Sequence, residues 1–232
     1  DIDAIAVTYG PGLAPALWTG VNFARALAHL WDRPLIPVNH MAGHLYSAFL
    51  QKSGIKPLQT TNYQLPAIKF PTLALLVSGA HTELVLMKKH GAFTIIGETR
   101  DDAVGEAFDK VARMLGLPYP GGPEIAKLAL TGSPDIYTLP RPMLHTKDYD
   151  FSFSGLKTAV LYLIRNLGKL TPQKKKDISA SFQTAAIEVL VKKTIRAAKE
   201  YRVKTILIGG GVAANQLLRR QLYQAIKQYL PP

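Results

Sequence analysis

The sequence predicts an α/β protein built as two lobes. Three observations carry this expectation. Short apolar strands alternate with segments of helical periodicity, an antiparallel meander interrupts the alternation in the middle, and a strand–glycine–helix unit returns near the end. A length of 232 residues fits one or two domains.

Ile2–Val7 is short and apolar and reads as a buried strand, followed by the turn Gly10-Pro11-Gly12. Thr19–Leu30 has helical spacing of apolar residues, and Leu35–Val38 is a second strand. Asn39 is placed to cap a helix running through Leu50. Residues 51–70 form a polar excursion, and the boundary between an N-terminal lobe (1–70) and a C-terminal lobe (71–232) is placed there. Leu73–Val77, Thr82–Met87 and Phe93–Gly97 form the meander. Helices are expected over Asp102–Leu115, closed by Gly116, and from Gly121 to about Leu130. Residues 131–150 read as irregular. A helix over Ser154–Leu167 comes next, then one started by Thr171-Pro172 and reaching Tyr201 with a bend. Val203–Ile208 is a strand ending in three glycines, and Ala213–Tyr229 is the last helix.

Composition narrows the chemistry. There is no cysteine, which excludes a disulfide framework, a zinc–thiolate site, an iron–sulfur cluster and a thiol nucleophile in this chain. No apolar run approaches the ~18 residues of a transmembrane helix. The net charge is +12, and residues 165–204 hold 11 basic against 3 acidic side chains. Such a stretch is either a polyanion-binding stripe, with Lys174, Lys175 and Lys176 as its candidates, or a solvated helix face.

Four constellations can carry chemistry. His40 and His44 stand four apart, which puts both imidazoles on one helix face where they can share a metal or simply sit at a helix end. No Glu follows His40, so the metalloprotease pattern with its built-in base is missing. Ser78-Gly79-Ala80 between two strands is either a phosphate-cradling turn or an ordinary hairpin. Gly209–Asn215 either opens a nucleotide-binding helix or makes a tight joint. Asp101, Asp102, Glu106 and Asp109 are expected in the first turns of one helix, and Asp109, among apolar neighbours, is the one suited to a ribose hydroxyl.

Seven words occur in order: Thr8-Tyr-Gly-Pro-Gly-Leu13, His40-Met-Ala-Gly-His44, Val77-Ser-Gly-Ala-His-Thr82, Asp101-Asp-Ala-Val-Gly-Glu-Ala-Phe-Asp109-Lys110, Gly116-Leu-Pro-Tyr-Pro-Gly-Gly122, Phe151-Ser-Phe-Ser-Gly-Leu-Lys157 and Gly209-Gly-Gly-Val-Ala-Ala-Asn215. Together they resemble the bacterial tRNA N6-threonylcarbamoyladenosine transferase family, formerly labelled O-sialoglycoprotein endopeptidase. The resemblance implies an actin-like ATPase fold, two lobes around a nucleotide cleft. It implies an acyltransferase moving threonylcarbamoyl from threonylcarbamoyl-adenylate to N6 of the adenosine beside the tRNA anticodon. It also implies one divalent metal, iron in the family, on His40 and His44. Leu76, Val77, Ser78, Gly79 and Ala80 would lie under the phosphate and acyl part, and Asp109, Gly122 and Asn215 would hold the nucleoside. Implied partners are tRNA, the adenylate and the accessory proteins of the TsaB and TsaE type, in the cytoplasm and with no membrane.

The chain departs from the family pattern at Ala42, where an acid is usual, and at Ala80, where Gly is usual. The family's opening phosphate-loop strand and its metal-ligating Asp beyond Asn215 are not in the sequence, so the chain reads as a fragment incomplete at both ends. The alternatives are a metal-dependent glycopeptidase, or an inactive fragment acting as an interaction module.

Overall fold

The computed structural model describes residues 2–47 and 68–229. The chain divides into two units, Asp1–Pro66 and Ala67–Pro232.

In the first unit, β1 (Ile5–Gly10) and β2 (Leu35–Asn39) pair in parallel, from Ile5 opposite Leu35 to Thr8 opposite Val38. Parallel neighbours need a crossover, and α1 (Ala14–Leu30) supplies it. The expected start at Thr19 is corrected to Ala14, because Pro15 has its φ preset for a first helical turn and lacks only an amide that the turn leaves unused. α2 (His40–Ser47) is capped by Asn39 as expected: its Oδ1 accepts from the amides of Met41 (2.9 Å) and Ala42 (3.1 Å). The expected extension to Leu50, and residues 51–67 of the polar excursion, lie outside the described residues.

The second unit is built on a four-stranded sheet in the order β5-β4-β3-β6: β3 (Thr72–Val77), β4 (Thr82–Lys89), β5 (Ala92–Glu98) and β6 (Thr205–Gly209). The meander is antiparallel as expected, and β6 joins β3 in parallel. Every residue of β3 is buried, as suits a central strand that reads as one apolar run.

Helices α3 (Val104–Met114), α4 (Gly121–Ala129) and α5 (Ser154–Leu167) surround α6 (Pro172–Glu200). Thr171 caps α6 through its hydroxyl on the Lys174 amide, and the helix runs uninterrupted. It is buried along most of its length and packs against α4, α5, α7 (Gln216–Tyr229) and β3. Phe182 of α6 meets Phe108 of α3 edge to face, ring centroids 4.9 Å apart.

The basic half of α6 is largely spent inside the molecule. Lys193 is 1% exposed and donates to Thr146 Oγ1 and to the carbonyls of Asp148 and Asp150. Arg196 donates to the carbonyls of Thr146 and Asp148 and lies over the Tyr149 ring. Lys192 and Arg141 share Glu188. These contacts hold the irregular segment 131–150 against the helix without giving it a ladder of its own. Burial lowers the Lys193 ammonium pKa, against the pull of Asp148.

Two glycines fix the exit of β3. A Cβ on Gly105 would lie 2.5 Å from the Ser78 carbonyl oxygen, and one on Gly210, whose φ is +90°, would overlap the Val77 carbonyl. Gly210→Ala is expected to destabilise the fold by about 2–3 kcal/mol, through strain and overlap together. Gly79→Ala, where nothing lies within 4 Å of the new methyl, is expected to change stability by less than about 0.5 kcal/mol. Urea unfolding of both variants checks the contrast.

Candidate functional site

The turn after β3 closes on itself. The Ser78 amide donates to the His81 carbonyl (2.8 Å), and the Ser78 hydroxyl accepts from the amides of Ala80 (3.2 Å) and His81 (3.0 Å). Gly79 and Ala80 are exposed, whereas Leu76 and Val77 are buried core side chains that can offer a ligand only their backbone.

The start of α3 sits directly on this turn. Ala103 at its N-cap has no side-chain acceptor, so acceptors from the sheet replace it. The Val104 amide donates to Thr82 Oγ1 (2.9 Å) and the Gly105 amide to the Ser78 carbonyl (3.2 Å). One turn further along, Asp109 Oδ1 accepts from the Gly121 amide (2.7 Å), the first of α4. Gly121 is tightly held, because a Cβ there would strike Ala112 and Asp109. Gly122 has open space where its side chain would be.

The 3-10 turn Gly211–Ala214 packs against both β3 and α3. It leads to Asn215, whose Oδ1 caps α7 at the Leu218 amide (3.1 Å) and whose Nδ2 donates to Gln183 Oε1 of α6 (2.8 Å). The expected single helix from Ala213 is thus corrected to a 3-10 turn, an Asn cap and α7, since the Asn215 side chain replaces a helical amide bond at that joint.

Ser78–Ala80, Asp109, Gly122 and Asn215 are therefore all carried by elements that pack on α3 or belong to it. Of these, the Ser78–Ala80 turn and Asn215 lie past the carboxyl ends of the parallel strands β3 and β6, the end at which open α/β sheets place ligands. Gln183 and Thr82 were missed from sequence. Neither stands out there, since Thr82 lies between His81 and Glu83 and Gln183 lies beside Thr184.

Asp101 and Asp102 are corrected: both precede α3 rather than lie in its first turns. Asp101 caps α5 instead, accepting from the Ser152 hydroxyl (2.5 Å) and the amides of Phe153 (2.8 Å) and Ser154 (3.1 Å). Asp102 pairs with Lys110 and Lys157, each at 2.7 Å. A chain that must reach back to the sheet for its cap cannot also start its helix two residues earlier. Burial alone would raise the Asp102 pKa, but hydrogen bonds from Lys110 and Lys157, then their charges, lower it overall.

In the first unit, His40 and His44 lie on one face of α2, ring centroids 4.6 Å apart. His40 Nδ1 is 3.0 Å from the Pro11 carbonyl, so the proton belongs on Nδ1 and the lone pair on Nε2. Burial, then the neighbouring His40, lowers the His44 pKa and favours its neutral form. Both features suit metal ligands. Among the described residues no group of three His, Asp or Glu side chains stands together, so the pair offers two ligands of a larger set.

Lys174, Lys175 and Lys176 are half-buried. Lys174 Nζ donates to the carbonyls of Leu167, the last residue of α5, and Lys169, just past it. As consecutive helical residues the three point about 100° apart, which makes them a poor single stripe. Among the described residues no helix is long and apolar enough to cross a membrane.

Comparison with solved structures defines the class first. The chain is similar to the crystal structure of T. kodakarensis HypF, TM-score 0.65 at 14% identity, covering 98% of this chain and 37% of that one. A second HypF structure, full-length in a phosphate- and nucleotide-bound form, gives 0.65 at 15%, covering 98% and 42%. This bears out the α/β fold of the actin-like ATPase type. The profile of the tRNA N6-adenosine threonylcarbamoyltransferase family matches residues 1–232, and the chain belongs to that family. Curated members include those of Enterococcus faecalis, 53% identical over 232 residues, and Bacillus subtilis, 54% identical over 233. The alignments cover 100% and 99% of this chain and 62% of each relative.

Because the Asp102 pKa is lowered in the folded protein, its contribution to stability is present above the unfolded value of about 4 and is lost as pH falls through the lower folded one. Asp102→Asn is expected to cost about 1–3 kcal/mol at pH 7. The gap to the wild type should narrow below about pH 4, which urea titrations at several pH values measure.

Proposed function

We propose that the protein of which this chain forms the active-site framework transfers a threonylcarbamoyl group from threonylcarbamoyl-adenylate to N6 of an adenosine beside the tRNA anticodon. The observation that carries this reading is the convergence of the Ser78–Ala80 turn, Asp109, Gly122 and Asn215 around α3, in a chain whose whole length matches the family.

In this reading the Asp109 carboxylate, held by one oxygen on the Gly121 amide, turns the other toward the ribose hydroxyls. Gly122, without a side chain in its way, lets the backbone approach the nucleoside. The Asn215 carboxamide borders the same nucleoside, and the Ser78–Ala80 turn lies under the phosphate and the acyl group. The adenosine amine attacks the acyl carbonyl, the carbonyl–phosphate oxygen bond breaks, AMP leaves, and one amine proton is released. The nucleophile comes from a single-stranded loop, so no base pair has to open. The chain's main work is to hold both reactants in line.

His40 Nε2 and the neutral His44 imidazole would hold a divalent metal, iron by family likeness, together with ligands from outside the described residues. A metal there would supply a Lewis acid. Accessory proteins of the TsaB and TsaE type and a cytoplasmic location belong to the same proposal.

Two measurements test it. Asp109→Asn keeps the acceptor for the Gly121 amide, so it should fold normally yet weaken binding of a non-hydrolysable adenylate analogue by roughly tenfold. Calorimetric titration showing unchanged affinity would remove Asp109 from the site. In the full-length protein supplied with adenylate and tRNA, His40→Ala and His44→Ala should each abolish modified adenosine, read by nucleoside mass spectrometry. Cleavage of a glycopeptide by the same protein, with tRNA left unmodified, would overturn the transferase reading.

A further inference from the structure

The basic surplus that is left for a partner is not where the densest run of lysines lies. From Tyr201 to the end the sequence holds five Lys and Arg residues and no Asp or Glu. α7 lies within this stretch. Its exposed side chains recur at helical spacing, with Arg219, Arg220, Tyr223 and Lys227 on one face and glutamines between them.

Among the described residues none of these cations is in an ion pair with a carboxylate, in contrast to Lys192 and Lys193 on α6. Lys227 lies over the Tyr223 ring at 4.5 Å, and Tyr223 is 59% exposed. Lys199, from the end of α6, lies over the Tyr229 ring at 4.4 Å, on the side of α7 that carries Leu218 and Leu222 and outside this face. The opposite side of α7, with Leu218 and Leu222, is in the core, so the orientation of the face is fixed.

We infer that the exposed face of α7 is an RNA-docking surface: Arg220 and Lys227 contact backbone phosphates, and Tyr223 offers its ring to an unpaired base. The chemistry favours this partner. A face with several cations, amide side chains, an exposed tyrosine and no carboxylate complements a polyanion with planar bases. Asn215, the cap of the same helix, puts one end of the face at the proposed nucleoside site. The inference thus deepens the transferase reading and rests on it for the RNA being a tRNA.

The test is binding of this 232-residue chain to an anticodon stem-loop RNA, measured by fluorescence anisotropy across a salt series. Arg220→Gln combined with Lys227→Gln is compared with Lys88→Gln combined with Lys89→Gln. The latter removes the same charge from exposed positions at the end of β4. The α7 pair should weaken binding roughly tenfold or more and reduce the slope of log K against log salt by about 1–2. The β4 pair should leave the slope unchanged. Tyr223→Ala should weaken binding at least about fivefold without changing the slope.

Equal slopes and affinities for the two pairs would overturn the inference. So would an equally tight, equally salt-dependent complex with polyglutamate, which would make the face a dock for acidic proteins. An adenylate-analogue titration keeps the two readings apart. Analogue binding without an α7 effect on RNA removes the surface and leaves the transferase site standing, whereas the reverse result removes the transferase site and leaves the surface.

Discussion

The arrangement depends on how closely other backbone can approach the end of β3. Gly105 and Gly210 bring the start of α3 and the end of β6 against the carbonyls of Ser78 and Val77, at distances no side chain permits. The first contact seats α3 on the turn, so α3 needs no cap of its own. The second sets where the Gly211–Ala214 turn leaves the sheet, and hence where Asn215 sits. With α3 seated, Asp109 is placed to take the first amide of α4, and Gly121 lets the two helices touch. Four loops distant in sequence are thereby brought to one end of the sheet by the absence of methyl groups.

Charge follows a different logic in the two parts of the basic region. On α6 the cations meet a segment that carries Asp148 and Asp150 and the carbonyls of Thr146, Asp148 and Asp150, and they are consumed in holding it. A buried ammonium such as that of Lys193 is tolerated only because several oxygens surround it. α7 itself carries no acid, and Arg220 and Lys227 face solvent, Lys227 over the Tyr223 ring. A count of net charge along the sequence cannot separate these cases, because it does not know which helix faces acidic chain.

Much of the fold was legible from residues alone. β3 announced itself as an uninterrupted apolar run, Asn39 and Thr171 announced the helices they cap, and the meander followed from short strands broken by small residues. What stayed hidden was set by contacts across the fold. The start of α3 depends on Thr82 and Ser78, residues far away in sequence whose acceptors replace a local cap, and the Asn215 side chain that caps α7 is held by Gln183, equally distant. The side chains of Leu76 and Val77 belong to the core rather than the ligand loop, because a motif read as a string does not say which of its members face outward. His40 and His44 were readable as a pair from their spacing, and the Pro11 carbonyl that fixes the His40 tautomer was not.

The parallel pairing of β3 with β6 has a consequence for synthesis. β3 and β4 are a few residues apart and can join as soon as both have emerged. The other edge of β3 waits for Thr205–Gly209 to leave the ribosome, after α3, α4, α5 and α6 have all been made. Until then a strand that is apolar from Leu73 to Val77 presents an open row of amides and carbonyls to the cell, the kind of edge that recruits foreign strands. The nascent chain is therefore most vulnerable while its longest helix is still being translated, and protection during that interval has to come from packing of the earlier helices or from a chaperone.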